Sequence, residues 1–198
     1  MVSGCSADGI EETKGVKRLA VPHSATYNDT FENRQSFWSP EAGNWVFADH
    51  QVTQAETDSY FPLMLFKKEI FSSVAVSVDF MPISGRIDAS GGVVFRAKDA
   101  QNYYIVRANA LEDNFRLYYF KAGSRYEIAS ATVTPPPRNR FSTLRVVAQG
   151  DHIQAYLNGK LLIDHHDTLF SKGYVGLWTK ADSVTAFDNF KVSGDTSR

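Results

Sequence analysis

The sequence has almost no cysteine: Cys5 is the single one among 198 residues. One thiol can form neither a disulfide within the chain nor a thiolate metal site. Long apolar runs are missing too, because no stretch approaches the roughly 20 residues that a transmembrane helix needs. The formal net charge is −1 and there is no basic block, so a footprint for nucleic acid is absent. These absences exclude a disulfide scaffold, a helical membrane span and a nucleic-acid-binding protein.

Helical patterns are also missing, since no segment keeps a 3.6-residue apolar period over the length of a helix. Aromatic residues make up 13% of the chain, which favours strands. Short alternating runs follow one another between turn signals, and Asn158-Gly159 is a strong hairpin signal. We therefore predict an all-β fold, an antiparallel two-sheet β-sandwich. The alternation places six residues in its core: Val76, Val78, Phe95, Val106, Leu117 and Leu157.

The composition divides the chain into three parts. Residues 1–24 are small, polar or charged, which predicts a flexible tail or tether. Residues 25–193 carry the strand signals, and residues 194–198 form a C-terminal tail. The stretch "VSGC" resembles the end of a bacterial lipobox, although four small residues can also meet by chance. If the lipobox is real, a signal peptide precedes Cys5 in the native precursor, Cys5 carries a lipid anchor and the protein is extracytoplasmic.

Residues 103–120, "YYIVRANALEDNFRLYYF", predict an aromatic hairpin with its turn at Glu112-Asp113. This turn pairs Arg107 with Tyr118 and Ala110 with Phe115. One face is almost entirely apolar and belongs in the core. The opposite face mixes flat rings, guanidinium groups and an amide: Tyr103, Ile105, Arg107, Asn109, Arg116, Tyr118 and Phe120.

Two interpretations of this mixed face stay open. Sugar rings stack on aromatic side chains, while their hydroxyls need planar donors and acceptors, and arginine forks would hold a carboxylate. Alternatively, Arg107 and Arg116 cover aromatic surface and pair with Glu112 or Asp113 as exposed ion pairs. If the face binds a sugar, we expect Arg107→Ala to abolish ligand binding and to leave the melting temperature nearly unchanged, because an exposed ion pair contributes only about 0–1 kcal/mol. If the variant unfolds and no sugar binding is detectable, Arg107 is structural.

Two stretches resemble a known group of domains: "GGVVFRAKDAQNYYIVRANALEDNFRLYYF" and "GLWTKADSVTAFDNF". They are similar to the concanavalin A-like lectin/glucanase superfamily, and in particular to the 3-keto-disaccharide hydrolases, which are described as family sixteen glycoside hydrolase-like. The resemblance covers roughly residues 28–193. It implies a jelly roll whose concave sheet meets glycans. It also implies that this sheet carries Arg107, Asn109, Arg116 and Tyr118, with a second contribution from Trp178, Lys180 and Asp182.

The chain departs from true family sixteen glucanases, which carry their acids as Glu-x-Asp-x-x-Glu on one strand. No such spacing occurs here, so the catalytic residues stay unknown. Four acids are candidates for general acid–base chemistry: Glu112, Asp113, Asp182 and Asp188. For Glu112 and Asp113 at a hairpin tip we expect ordinary pKa values.

Metal chemistry has little support in the sequence. "DHHD" at residues 164–167 offers four ligand types in a row, but neighbours on a strand point to opposite faces and cannot share one ion. We interpret it as a turn after the strand "KLLI" and predict no metal site and no cofactor. A structural calcium leaves little trace in a sequence, so calcium stays open.

The sequence thus supports three functional hypotheses. The first is a domain that binds a glycan or small sugar through Tyr103, Arg107, Asn109, Arg116, Tyr118, Trp178 and Lys180. The second is a glycoside hydrolase of the 3-keto-disaccharide hydrolase type, acting on an oxidised or acidic sugar. The third is a structural or protein-binding sandwich without a groove.

Overall fold

The structure is a computed structural model that describes residues 23–196. These residues form fourteen β-strands and no helix, so no helix there could cross a membrane. The strands are β1 His23–Asp29, β2 Trp38–Ala42, β3 Trp45–Ala48, β4 Gln51–Gln54, β5 Leu63–Ser84, β6 Ser90–Asp99, β7 Asn102–Asn109, β8 Asn114–Lys121, β9 Ser124–Thr132, β10 Ser142–Gln149, β11 His152–Leu157, β12 Lys160–His166, β13 Gly173–Trp178 and β14 Val184–Thr196.

The long strand β5 joins two antiparallel layers. Its first part pairs with β2 and β13, and the first layer continues from β13 through β6, β7 and β8 to β9. Its second part pairs with β10 and β14, and the second layer contains β12, β11, β10, β14, β1, β4 and β3. The predicted antiparallel sandwich is therefore confirmed.

The main core lies between the two layers. β7 and β8 contribute Val106 and Leu117 from the first layer, while β5 and β10 contribute Val78 and Leu144 from the second. All six predicted core residues are buried there. Alternation explains this result, because every second side chain of these strands points into the same interior.

The outer face of the first layer carries a second apolar cluster. We call it the aromatic patch; its members are Leu63, Leu65, Val94, Ala97, Tyr103, Ile105, Tyr118, Phe120 and Trp178, with Phe61 and Tyr174 packed against it. The strands of the first layer therefore bury side chains on both faces, which explains their nearly continuous apolar sequences.

The β7–β8 hairpin has a different register from the predicted one. Arg107 pairs with Arg116, and Ala108 pairs with Phe115. The prediction placed a two-residue turn at Glu112-Asp113, whereas residues 110–113 connect the two strands. Because the displacement is an even number of residues, every side chain still lies on its predicted face.

The "DHHD" stretch was also predicted incorrectly, since β12 continues through His166. His152 pairs with His166, and Gln154 pairs with Asp164. Pairing with the neighbouring strand β11 therefore extends β12 beyond its apolar run "KLLI". The predicted hairpin turn is present at Asn158 and Gly159, both of which have positive φ angles. Glycine adopts this conformation without strain.

The two ends of the described chain pair with each other. β1 begins at His23 and β14 ends at Thr196, beyond the predicted limits 25 and 193, and these two residues are cross-strand partners. Cys5 and its proposed lipid anchor lie outside the described residues.

Candidate functional site

A row of cross-strand partners crosses four strands on the outer face of the first layer. It runs from Arg116 on β8 through Arg107 on β7 and Gly92 on β6 to Trp178 on β13. Gly92 is required here because a Cβ atom would lie 2.4 Å from Ile105 Cδ1 and 3.3 Å from Trp178 Cε3. The missing side chain lets the indole ring and Ile105 close over the strand.

Arg107 is buried, with 1% of its surface exposed, and its Nη2 donates to Glu112 Oε2 at 2.9 Å. Asn109 Nδ2 donates to Glu112 Oε1 at 3.1 Å, and Asn114 Nδ2 donates to Oε2 at 2.8 Å. Three side chains therefore hold one carboxylate. The exposed ion pair expected for Arg107 is wrong, because the loop folds Glu112 back over the sheet and the guanidinium is covered.

These contacts change the acidity of Glu112. Partial burial alone would raise its pKa, but the hydrogen bonds from Asn114 and Arg107 and the positive charges of Arg107 and Arg116 outweigh burial. The pKa of Glu112 is lowered to about 2. The ordinary pKa expected at an exposed tip is therefore wrong for this residue. A carboxyl group held in its ionised form is a hydrogen-bond acceptor and a poor general acid.

A second ion pair lies beside the first. Asp88 is completely buried, and its Oδ2 accepts a hydrogen bond from Lys180 Nζ at 3.1 Å. The backbone N–H of the next residue, Ala89, donates to Asn109 Oδ1 at 3.2 Å. The Asp88–Lys180 pair is thus connected to the contacts of Glu112. We call the six residues Asp88, Arg107, Asn109, Glu112, Asn114 and Lys180 the polar cluster.

The aromatic patch borders this polar cluster. Tyr103 stacks on Phe120 at 4.5 Å between centroids, and Phe61 stacks on Trp178 at 5.7 Å. The guanidinium of Arg125 lies over the ring of Tyr118 at 4.6 Å and completes the surface. Tyr103, Tyr118 and Trp178 are all buried, so the partly exposed side chains packed over them, Phe61 and Arg125, form the accessible part.

Arg116 connects the two sets of residues. Its Nη1 donates to the Tyr118 hydroxyl at 3.3 Å, and its Nε lies 3.3 Å from Glu127 Oε2. Like charges opposite each other on neighbouring strands repel. The Arg107–Arg116 pair is tolerated because each arginine has its own acid, Glu112 and Glu127 respectively.

Several buried donors at this site have no hydrogen-bond partner among the described residues: Arg107 Nε, Arg107 Nη1, Trp178 Nε1 and Thr179 Oγ1. Thr179 follows Trp178 directly, and both arginine nitrogens belong to the same cross-strand row. An unsatisfied buried donor costs about 1–3 kcal/mol, and native proteins contain few of them. The row is therefore a local concentration of unused hydrogen-bonding capacity.

The remaining candidate acids are not assembled into a pair. Asp182 accepts hydrogen bonds from the backbone N–H groups of residues 86, 87 and 88; burial alone would raise its pKa, but these bonds lower it. Asp188 lies on β14 opposite Asp79, in the second layer. Asp113 is exposed in the hairpin loop. Asp182 thus holds a turn in place, and Asp188 is far from the row in the topology.

Sequence reasoning missed Asp88, Phe61, Arg125 and Glu127 at this site. Asp88 stands in the turn "GRIDAS", where an aspartate is ordinary, and only the fold brings Lys180 to it. Phe61 precedes β5 and covers a patch formed by distant strands. Glu127 carried a usable signal, because an acid on β9 can lie next to an arginine on β8.

The architecture is that of the concanavalin A-like jelly rolls. The β-glucanase of Bacillus licheniformis shares it with a TM-score of 0.60 at 14% identity, covering 87% of this chain and 98% of that one. The family model described as "3-keto-alpha-glucoside-1,2-lyase-like domain" matches residues 27–193. The chain belongs to this family.

Two similar proteins come from Bacillus subtilis. The carbohydrate-binding module CBM66 has a TM-score of 0.72 at 28% identity, and the match covers 78% of this chain and 94% of that one. The levanase of strain 168 is 28% identical over 180 residues, covering 88% of this chain. The match spans only 25% of the levanase, so it concerns one part of that protein.

Proposed function

We propose that this domain binds a glycan at the polar cluster and the aromatic patch, on the outer face of its first layer. The site comprises the residues expected from the sequence: Tyr103, Arg107, Asn109, Arg116, Tyr118, Trp178 and Lys180. Arg116 and Lys180 are partly exposed and, with Glu112, would contact the glycan directly, whereas the other five are buried and support this surface. The similarity to a carbohydrate-binding module at 28% identity supports this class of ligand. In this proposal the outer face is the concave sheet of the jelly roll.

The observation that carries the proposal is the pair of buried guanidinium nitrogens of Arg107, Nε and Nη1, that have no hydrogen-bond partner among the described residues. A sugar hydroxyl can accept from one donor and donate to an acid at the same time. Glu112 is about one-third exposed, at 32%, and is the accessible partner of Arg107. A small movement of Glu112 would admit a hydroxyl group between the carboxylate and the guanidinium, and the unused donors would then gain an acceptor.

Three of the four cations at the site face an acid. Arg107 faces Glu112, Arg116 faces Glu127, and Lys180 faces Asp88. Arg125 instead lies over the ring of Tyr118, so it is the cation that an acidic or oxidised sugar could use. Exposed Tyr60, whose ring packs against Phe61 at 4.4 Å, offers an apolar surface next to the patch.

The first experiment is a glycan array followed by calorimetric titration of the positive glycans. Levan is included because of the levanase relative. We expect the parent protein to bind at least one glycan, neutral or acidic. Arg116→Gln and Glu112→Gln should weaken binding at least about tenfold, which corresponds to ~1.4 kcal/mol.

Two variants serve as matched controls. Glu32→Gln and Arg34→Lys change exposed residues between β1 and β2, so both should bind like the parent. Thermal melts of all four variants separate lost binding from lost folding. The proposal fails if the array stays blank, or if Arg116→Gln and Glu112→Gln bind as tightly as the parent.

A second candidate function is catalysis on a 3-keto-glucoside, and the family membership favours it. The Asp88–Lys180 pair is the acid and the amine that lie together at this site, with Asp88 completely buried. Incubation of the protein with a 3-keto-glucoside tests this function by release of the free sugar. If the parent protein releases the sugar and a folded Asp88→Asn variant does not, the function is catalysis and not simple binding.

We also propose that the domain works outside the cytoplasm, attached through Cys5. The motif "VSGC" and the polar stretch that follows it support this location. The native gene provides the test, because a lipobox requires an apolar signal segment encoded upstream of Cys5. A native precursor without such a signal segment would refute the lipid anchor at Cys5.

A further inference from the structure

The β11–β12 hairpin carries three metal-ligand side chains on its outward face. His152 on β11 is the cross-strand partner of His166 on β12, and Asp164 lies two residues before His166 on the same face. All three are accessible, with 39%, 62% and 50% of the side chain exposed respectively. Four consecutive residues of one strand cannot all bind the same metal ion, because neighbours point to opposite faces. Asp164 and His166 are two residues apart and share a face, and His152 lies beside them on the neighbouring strand, so these three can bind one ion.

The three side chains are already close together. His152 Nε2 lies 2.7 Å from Asp164 Oδ1, and the rings of His152 and His166 stack in parallel, 4.6 Å apart with 3° between their planes. One ligand atom from each residue lies within 4.8 Å of the other two. Ligands of a tetrahedral zinc ion stand roughly 3.3 Å apart, given metal–ligand bonds of about 2.0–2.1 Å. Small rotations of the exposed side chains therefore suffice to form a site.

We propose that His152, Asp164 and His166 bind a transition-metal dication of the zinc class. Two imidazole nitrogens and one carboxylate oxygen suit Zn²⁺, whereas Ca²⁺ and Mg²⁺ require six or more oxygen ligands. Three protein ligands leave a fourth position for water. The metal would take the place of the hydrogen bond between His152 Nε2 and Asp164 Oδ1.

Neighbouring side chains hold the ligands in position. Gln154 Nε2 donates to Asp164 Oδ2 at 2.9 Å, and Gln154 Oε1 accepts from the Tyr156 hydroxyl at 3.0 Å. Asp151 Oδ1 lies 3.3 Å from His166 Nδ1. A carboxylate at one ring nitrogen is the usual arrangement for a histidine that binds a metal through the other nitrogen. His166 Nε2 is therefore directed to act as the ligand.

This site is separate from the proposed glycan site. It lies on β11 and β12, which belong to the second layer, whereas the polar cluster involves β7, β8 and the segments before β6 and after β13. The β12 strand ends its layer, so a metal bound across β11 and β12 would fasten the edge of the sheet.

The test is calorimetric titration of the metal-free protein with Zn²⁺, in a Cys5→Ser background that removes the thiol. We expect one Zn²⁺ per chain, and the melting temperature should rise with the Zn²⁺ concentration. The His152→Gln and His166→Gln variants should lose this binding. Gln154→Ala removes only the hydrogen bond that supports Asp164, and it should weaken zinc binding about tenfold.

The matched control is His165→Gln. His165 is the cross-strand partner of Ile153 and lies on the opposite face, so its replacement should leave zinc binding unchanged. Zinc binding that persists unchanged in the His152→Gln/His166→Gln double variant would overturn the proposal, as would a parent protein that does not bind Zn²⁺. Glycan binding is also measured with and without a chelator. This measurement distinguishes failure of the zinc site from failure of the proposed glycan binding.

Discussion

Glu112 joins β7 to β8 at the candidate site, because side chains from both sides of the hairpin loop donate hydrogen bonds to it. Its pKa is held at about 2, below the ordinary value of about 4.3. A lowered pKa means that the ionised group stabilises the folded state above its unfolded pKa. This contribution is lost as the pH falls from that value toward 2.

Replacement of Glu112 should therefore have a pH-dependent cost. Near pH 7, Glu112→Gln should lower the free energy of unfolding by about 1–2 kcal/mol, reduced by solvent screening of a partly exposed group. Near about pH 2.5 the parent and the variant should differ much less. Denaturant titrations at both pH values measure this difference, with exposed Asp113→Asn as the control. A cost independent of pH would mean that Glu112 acts through packing alone.

Residue types on the mixed face could be predicted from sequence, and their partners could not. Alternation fixed which side chains share a face, so Arg107 and Asn109 were placed together correctly. Both side chains are bound by Glu112 of the loop at residues 110–113, and the conformation of this loop follows no sequence period. Asp88 and Lys180 are 92 residues apart and meet only through the fold.

At the scale of secondary structure, β13 is an inner strand that pairs with β5 on one side and with β6 on the other. Its residue Gly176 approaches the neighbouring backbone so closely that a Cβ atom would lie 2.3 Å from Met64 O. A backbone carbonyl in a paired strand cannot move aside as a flexible side chain can. This position therefore accepts no side chain without separating the two strands.

Gly176→Ala should consequently lower the free energy of unfolding by about 3 kcal/mol or more. Gly123→Ala is the comparison, since Gly123 has a φ of +77° and no atom within 4 Å of the added Cβ. That change adds only backbone strain, about 1–2 kcal/mol. Urea denaturation of both variants gives the two values. Equal losses would show that close strand packing at β13 is not the cause.

Strand boundaries and register were the weaker part of the sequence prediction. The Asn158-Gly159 turn was correct because both residues favour positive φ angles. The β7–β8 connection has no such residue pair, and its register was displaced by two residues. β12 was predicted too short, because pairing with β11 extends a strand beyond its own apolar residues.

At the scale of the whole molecule, the main core and the aromatic patch lie on opposite faces of the same strands. β6, β7 and β8 contribute residues to both clusters. Loss of these three strands would therefore disrupt the main core and the aromatic patch together. The domain should therefore unfold as one cooperative unit.

Thermal unfolding followed by far-UV circular dichroism and by tryptophan fluorescence tests this expectation. Trp38 and Trp45 report on the main core, and Trp178 reports on the aromatic patch. We expect coincident transitions for the parent, and for a variant that retains only Trp178. A separate early transition in the second protein would mean that the patch melts independently.

The pairing of β1 with β14 determines how the domain responds to tension. His23 and Thr196 are partners at one end of an antiparallel pair, so the chain enters and leaves the fold at the same point. The hydrogen bonds of such a pair lie perpendicular to the strands, and a force pulling these two residues apart would load them one after another. Seven residue pairs would then open in sequence, from His23–Thr196 to Asp29–Phe190, and β1 would peel away at low force before the layers separate.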